Sequence, residues 1–250
     1  MKALVVLTSS ECKRLIGKGV AVLPEVQKAL KSGLIVIIKG TTNSYVAEEI
    51  LGEDINKADF RRGVVLPGLL GGAPSPERQI PDIVIEKGKA VKLTLEEAVP
   101  KLRGGDVLMK GANALDLFGI AGVYVASETS GTIGLSIGTL MARGVHFIIP
   151  VGLEKLIPTP IHNIVPELGI DKIDMSTGLK LGMMPVMGRV VTEIEAFEML
   201  TGVSAINVGG GGVNGAEGSR TFLLKGEEKD VKKAFELAKG IIGEPIFPKT

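Results

Sequence analysis

The chain has 250 residues, with 29 Lys and Arg, 28 Asp and Glu, a formal net charge of +1 at pH 7 and one cysteine. A near-neutral chain with interspersed charges lacks the basic surface that nucleic-acid binding needs, so we exclude nucleic acid as a partner. One cysteine excludes an internal disulfide. With no signal segment and no apolar run near the ~18 residues of a membrane span, we expect a cytoplasmic protein without a membrane partner.

The first fifty residues predict alternating strands and helices. Residues 2–7 predict a strand, and residues 11–22, which alternate basic residues with glycine, predict a loop or a frayed helix. Residues 23–32 predict a helix with proline in its first turn. The continuous β-branched run at 34–38 is typical of a parallel strand that is covered on both faces. A polar glycine turn follows it, and a second helical pattern occupies residues 45–51.

The middle of the chain repeats this organisation after an irregular region. Residues 66–76 contain several glycines and prolines and predict a loop. Residues 83–93 predict a hairpin, and the capping-box spacing after Thr94 predicts a short helix. Residues 106–109 predict another strand. Residues 121–158 then read as a strand, a weakly amphipathic helix and a second strand, which is a βαβ unit.

The last part of the chain has a different element order. We predict strands and helices in the order βαββαβ, which is the order of a ferredoxin-like plait. The strands are predicted at 183–191, 203–208, 219–225 and 245–248, and the helices at 193–201 and 227–242. The sequence therefore predicts two domains, an α/β domain over 1–182 and a ferredoxin-like α+β subdomain over 183–250.

The turn Gly40, Thr41, Thr42 and Asn43 lies between a predicted strand and a predicted helix. Backbone N–H groups and the positive end of the helix dipole favour an anion at such a turn. The threonine hydroxyls could donate further hydrogen bonds to a phosphate or carboxylate. Thr42 or Asn43 could equally cap the helix, so both interpretations stay open.

A second polar turn begins at Lys110, directly after the predicted strand at 106–109. It also contains Gly111, Asn113 and Asp116. A lysine at this place could neutralise an oxyanion, and Asp116 could act as a general base. The alternative is an ordinary turn with solvated charges.

The third turn contains Glu128, which follows the apolar run at 123–126. Thr129, Ser130, Gly131 and Thr132 could bind a ligand or cap the next helix. Glu128 would be a catalytic carboxylate if the end of the strand partly buries it. The alternative is a surface carboxylate that pairs with a lysine.

No metal site or cofactor is expected. His146 and His162 lack His, Cys or carboxylate neighbours at ligand spacing. The glycine-rich run 209–215 contains the G-x-G-x-x-G spacing, but a strand follows it where the dinucleotide fingerprint requires a helix. We interpret this run as a hairpin loop.

Together the segments 40–43, 110–116, 127–132 and 146–158 resemble the superfamily of ribose-5-phosphate isomerase, glucosamine-6-phosphate deaminase and family I CoA-transferases. The last two segments are most similar to the lactate-utilisation (LUD) domain. The resemblance implies an open, mainly parallel sheet with helices on both faces. It also implies that the first turn is a phosphate loop, that Lys110 and Asp116 match the isomerase lysine-glycine region, and that Glu128 matches the LUD glutamate.

We therefore hypothesise that the protein binds an anionic small molecule, namely a sugar phosphate, an organic acid or a CoA thioester. As an isomerase it would use Glu128 or Asp116 to abstract a proton while Lys110 stabilises the enediolate. As a transferase it would use Glu128 as a nucleophile towards the acyl-CoA. The competing hypothesis is a non-catalytic ligand-binding or regulatory module, whose C-terminal subdomain mediates assembly into a homo-oligomer.

Overall fold

The structure is a computed structural model that describes residues 1–71 and 76–248. It is a mixed α/β fold with eight α-helices in this part of the chain. The helices are α1 (Ser9–Ala21), α2 (Pro24–Ser32), α3 (Thr41–Leu51), α4 (Leu95–Ala98), α5 (Gly131–Arg143), α6 (Ile161–Ile164), α7 (Glu193–Thr201) and α8 (Glu228–Ile241).

Strands in the same part of the chain form one large sheet and three smaller ones. They are β1 (Lys2–Leu7), β2 (Leu34–Ile37), β3 (Val64–Leu66), β4 (Leu69–Gly71), β5 (Ile83–Glu86), β6 (Lys89–Val91), β7 (Val107–Met109), β8 (Ala114–Leu115), β9 (Ala121–Val125), β10 (His146–Pro150), β11 (Gly182–Val186), β12 (Arg189–Val191), β13 (Ser204–Gly211) and β14 (Ser219–Lys225).

The large sheet has six strands in the order β12-β10-β7-β2-β5-β6. Neighbours from β12 to β2 are parallel, whereas β5 and β6 form an antiparallel hairpin at the edge. Ile35 and Ile37 of β2 pack into one apolar cluster, and Leu34 and Val36 pack into another. Because both faces of β2 are covered, its sequence is a continuous apolar run, as predicted.

The α/β class is confirmed, but its finer description changes. The large sheet is mixed, so a mainly parallel sheet is not confirmed. The ferredoxin-like subdomain is not confirmed either, because its strands lie in three different sheets. β11 pairs with β9, β12 pairs with β10, and β13 and β14 form an antiparallel sheet with β1. Residues 245–248 form no strand.

The domain division at residue 182 stays a prediction. Strand pairs cross that residue in both directions, since β1 pairs with β14 and β10 pairs with β12.

Two glycine-rich segments are more regular than their sequence suggests. For residues 11–22 the sequence leaves a loop or a frayed helix open, and the structure has helix α1 at residues 9–21, whose N-terminus carries a capping box made by Thr8 and Glu11. The loop predicted over residues 66–76 is a β3–β4 hairpin as far as Gly71, and residues 72–75 lie outside the described part. Among the described residues, no helix combines the length and the apolar character that crossing a membrane requires.

Candidate functional site

Three neighbouring parallel strands each lead into a lysine. Lys39 follows β2, Lys110 follows β7, and Lys155 follows β10 in a short 3₁₀ turn. The carboxyl ends of parallel strands meet at one edge of a sheet, where open α/β sheets bind ligands. All three lysines line one cavity of about 360 Å³ at this edge, a volume within the range of small-molecule sites.

The charge of this cavity has one sign. Arg62, which precedes the β3–β4 hairpin, joins the three lysines in its wall. Among the described residues that line the cavity there is no Asp or Glu. Four cationic side chains around one small volume create a positive potential that attracts an anion.

The four cations differ in their partners. Lys39 Nζ donates hydrogen bonds to Gln79 Oε1 at 2.9 Å and to the carbonyl oxygen of Ile80 at 3.1 Å. Arg62 Nη2 donates to Asp82 Oδ2 at 2.6 Å. In contrast, neither Lys110 Nζ nor Lys155 Nζ has a hydrogen-bond or ion-pair partner within the described ranges 1–71 and 76–248. These two half-buried lysines therefore bring amines to the cavity that no described side chain or backbone group binds.

Burial changes the protonation of these lysines. It lowers the pKa of Lys110 to about 8, with a further lowering by the charge of Arg62 and an opposing effect of Asp82. Burial also lowers the pKa of Lys39 and of Lys155, and Glu154 opposes the effect at Lys155. Desolvation of an ammonium group disfavours its charged form, which a bound anion would restore.

Two helices begin at the cavity without a side-chain cap. The N-terminal residue of α3 follows Gly40, which has no side chain, and α5 follows Ser130, whose side chain makes no capping hydrogen bond. In contrast, α1, α4 and α7 each carry a complete capping box. The first amides of an uncapped helix remain available as donors to an anion.

The hydroxyl of Thr42 supports the same interpretation. Thr42 lines the cavity and is 2% exposed, yet its Oγ1 has no hydrogen-bond partner in the described part of the chain. A buried hydroxyl without a partner is costly, so a ligand oxygen is the natural acceptor for it. Gly40 is extended, with φ of 173°, and a Cβ at this residue would meet no atom within 4 Å. The glycine therefore leaves the space beside the α3 amides open.

Most of the predicted site residues come together in this cavity. Those in its wall are Gly40, Thr41, Thr42, Lys110, Gly111, Asn113, Ser130, Gly131 and Thr132. Those outside its wall are Asn43, Asp116, Glu128 and Thr129. The three turns thus lie at one cavity, whereas both predicted catalytic carboxylates lie outside its wall, and the role of these residues as a site stays a prediction.

Asn43 has a structural place in the sheet. Its buried Nδ2 donates to the carbonyl oxygens of Ile38 at 2.7 Å and Met109 at 3.2 Å. These bonds tie the ends of β2 and β7 together beneath the cavity. The side chain is therefore directed into the protein rather than towards a ligand.

Asp116 is 2% exposed, and backbone amides occupy both of its carboxylate oxygens. Oδ1 accepts hydrogen bonds from the amides of Phe118 and Ile120, both at 2.9 Å, and Oδ2 accepts one from Ile161 at 2.9 Å. Burial raises the pKa of Asp116, but these three hydrogen bonds outweigh it and leave the pKa lowered. A carboxylate held in this way fixes a turn and is unsuited to accept a proton from a ligand.

Glu128 is exposed, so the partial burial expected from the preceding apolar run does not occur. β9 ends at Val125, and the following residues turn outwards before α5 begins. Thr129 is also exposed, and its hydroxyl lies 3.3 Å from Ser127 Oγ. Neither residue contacts the cavity.

Sequence reasoning missed Lys39, Arg62 and Lys155. The signal for the two lysines was present, because each follows an apolar run that predicts a parallel strand. Arg62 carried no such signal, since it lies in an irregular segment whose position depends on long-range packing.

A second compartment of about 680 Å³ adjoins the cavity and shares Thr41, Asn113 and Lys155 with it. Its wall contains an ion pair between Lys13 Nζ and Glu154 Oε1 at 3.0 Å. Behind this pair lies Glu193, which is fully buried. Burial, together with the charge of Glu154, raises the pKa of Glu193 to about 7. This compartment brings the carboxylate of Glu154 near Lys155; its Oε1 is paired with Lys13, whereas its Oε2 has no hydrogen-bond partner in the described part of the chain.

Within the described residues, no group of three or more His, Cys, Asp or Glu side chains is arranged to hold a metal ion. No protein-family model matches the sequence, and no curated protein matches it.

Proposed function

We propose that the protein binds a small organic anion, with a phosphate or carboxylate group, at the carboxyl ends of β2, β7 and β10. The observation that carries this proposal is the charge of the cavity, which has four cationic side chains and no carboxylate among its described lining residues. The uncapped starts of α3 and α5 and the unpartnered Thr42 hydroxyl support it. Sugar phosphates, organic acids and CoA thioesters all carry the required group.

We further propose that the chain is related to the isomerase and CoA-transferase superfamily, with the LUD domain as the nearest resemblance. The support is the gathering of turns 40–42, 110–113 and 130–132 at one sheet edge. Under this proposal the protein is an enzyme, but Asp116 and Glu128 are no longer suitable as its catalytic groups. A non-catalytic binding module remains the second candidate, and the absence of a carboxylate from the described wall of the cavity favours it.

A thermal-shift experiment with a cavity-filling variant tests anion binding. Inorganic phosphate, a sugar phosphate, an organic acid and a CoA thioester are added separately to the wild type and to Gly40→Leu. A ligand at about 100 times its Kd should stabilise the wild type by about 2.7 kcal/mol. Gly40→Leu should lose this stabilisation, since the new side chain enters the open space beside the α3 amides.

Gly138→Leu is the matched control. Gly138 lies on the exposed face of α5, and a Cβ there would also meet no atom within 4 Å. This variant should keep the response to ligand. If no anion stabilises the wild type, or if Gly40→Leu responds as the wild type does, the proposed site is wrong.

A further inference from the structure

Lys110 presents an amine that no described part of the chain engages. It follows β7, the strand between β2 and β10, so its side chain enters the cavity from the middle of the parallel edge. Its Nζ has no hydrogen-bond or ion-pair partner among residues 1–71 and 76–248. A lysine amine is a nucleophile only in its neutral form, and it reaches that form at physiological pH when it is desolvated or adjoins another cation.

Burial also lowers the pKa of the other two lysines of the cavity, but their surroundings differ from those of Lys110. The ammonium of Lys39 donates two hydrogen bonds, to Gln79 and Ile80. The charges of the nearby carboxylates Glu154 and Glu193 favour the ammonium form of Lys155.

Lys110 instead adjoins Arg62, whose positive charge disfavours a second one. Asp82 opposes this effect, but its Oδ2 already accepts a hydrogen bond from Arg62 at 2.6 Å. The resulting pKa of about 8 leaves a substantial fraction of Lys110 neutral near neutral pH.

We propose that Lys110 forms an imine with a small carbonyl compound that carries a carboxylate or phosphate group, such as a 2-oxo acid. This inference rests on the proposed anion site and names its substrate class. The acid group would contact the α3 amides, the Thr42 hydroxyl and the Lys155 ammonium; within the described part of the chain, neither of these two side chains has a partner. The carbonyl carbon would then face Lys110.

The chemistry needs no oxidant or reductant. The neutral amine of Lys110 attacks the carbonyl carbon, and proton transfer to the carbonyl oxygen gives a carbinolamine. The ammonium of Lys155 can donate the proton with which the carbinolamine hydroxyl leaves as water. A protonated C=N bond, whose nitrogen keeps the remaining amine proton, has then replaced the C=O bond, and solvent replaces the proton that Lys155 gave to the leaving water. Because no carboxylate is found in the described wall of the cavity, this amine is the nucleophile best placed there.

Reductive trapping tests the proposal. The full-length protein is incubated with pyruvate and sodium cyanoborohydride, and the modified peptides are mapped by mass spectrometry. At about pH 7.5 the neutral fraction of Lys110 exceeds that of an ordinary lysine on the order of 100-fold. We expect the label on Lys110 to exceed that on any other lysine by about tenfold, since a less basic amine is also less nucleophilic. An even spread of label over the lysines would overturn the proposal without any variant.

Two variants and a competitor refine the test. Lys110→Arg keeps the positive charge but removes the nucleophilic amine, so the dominant label should vanish while the variant still unfolds in one cooperative thermal transition. Lys233→Arg, on the exposed surface of α8, is the matched control and should leave labelling unchanged. Inorganic phosphate should compete with pyruvate and suppress the label.

The two proposals fail differently. If anions stabilise the protein but Lys110 is not preferentially labelled, the imine is rejected and the anion site stands. If Lys110 is labelled but no anion stabilises the protein or competes, the amine is reactive without an anion site, and the proposed substrate class is rejected.

Discussion

Two regions of this molecule contain clusters of charged side chains, and the clusters differ in whether those charges have ion-pair partners. Around Arg14, every hydrogen-bonding nitrogen of the guanidinium group meets a carboxylate. Nη2 contacts Glu48 at 2.6 Å, Nη1 contacts Glu49 at 3.0 Å, and Nε contacts Glu244 at 2.8 Å. In the cavity, Lys110 and Lys155 have no such partner within the described part of the chain.

This difference separates the charge that holds the fold together from the charge that is available to a ligand. A charge that is buried with its partners is compensated inside the protein, so its loss damages the fold. A half-buried charge without a partner is disfavoured in the folded state, and a bound ligand of opposite charge can stabilise it. The Arg14 cluster joins α1, α3 and the segment after α8, whereas the cavity cations converge on open space.

Arg14→Met should have the largest effect. Its side chain is 15% exposed, and its removal leaves Glu48, which is 5% exposed, and two further carboxylates with fewer positive partners. We expect a loss of about 3 kcal/mol from the free energy of unfolding, measured by urea denaturation. Lys18→Met is the matched control. Among the described residues Lys18 has one ion-pair partner, Glu49 at the rim of the cluster, so its loss should cost less than about 1 kcal/mol. Equal effects of the two variants would contradict the conclusion that the Arg14 cluster stabilises the fold.

Lys110→Met should change stability in the opposite direction. The folded state lowers the pKa of Lys110 from 10.5 to about 8, so the charged form is disfavoured on folding. Removing it should raise the free energy of unfolding at pH 7 by about 1–3 kcal/mol and weaken anion binding by about tenfold. Lys39→Met is the control, because it removes two hydrogen bonds and should destabilise the protein.

The pH dependence of the Lys110 effect has a definite sign. Between pH 8 and 10.5 the unfolded state binds more protons at this residue, so wild-type stability rises with pH in that interval. The gain from Lys110→Met should therefore be complete below about pH 8 and vanish above about pH 10.5. A gain that is constant from pH 7 to 11 would show that it has a different cause.

The sequence predicts the parallel strands well because their signal is local. The run 34–38 is apolar on both faces, and the structure covers both faces. For helix α1 the sequence leaves a loop open beside a frayed helix, because Gly17 and Gly19 look like loop residues. A Cβ at Gly17 would lie 3.0 Å from the backbone of Tyr45, and one at Gly19 would lie 2.7 Å from Ala196 Cβ. These glycines serve close packing against α3 and α7, which one helix alone cannot reveal.

One part of the candidate site can be predicted from the sequence and another part cannot, as is the case for the fold. Turns at the ends of parallel strands must share an edge, so their convergence could be predicted from order along the chain. The direction of each side chain could not, because it depends on local hydrogen bonds. Asp116 and Asn43 have the right residue types near the right edge, yet backbone groups bind both carboxylate oxygens of Asp116 and the Nδ2 of Asn43. Arg62 reaches the cavity only through the placement of its irregular segment.

Glu128→Gln should have the smallest effect, because it changes a charge that belongs to neither of the two regions compared above. Glu128 is exposed and outside the cavity wall, so it belongs neither to the paired nor to the unpaired charges. We expect the free energy of unfolding to change by less than about 0.5 kcal/mol, with anion affinity from calorimetry unchanged within error. A tenfold loss of affinity would mean that the turn before α5 folds inwards when ligand binds. Glu128 would then lie in the catalytic position that the resemblance implies. The unpaired lysines would no longer be enough to identify all residues of the site.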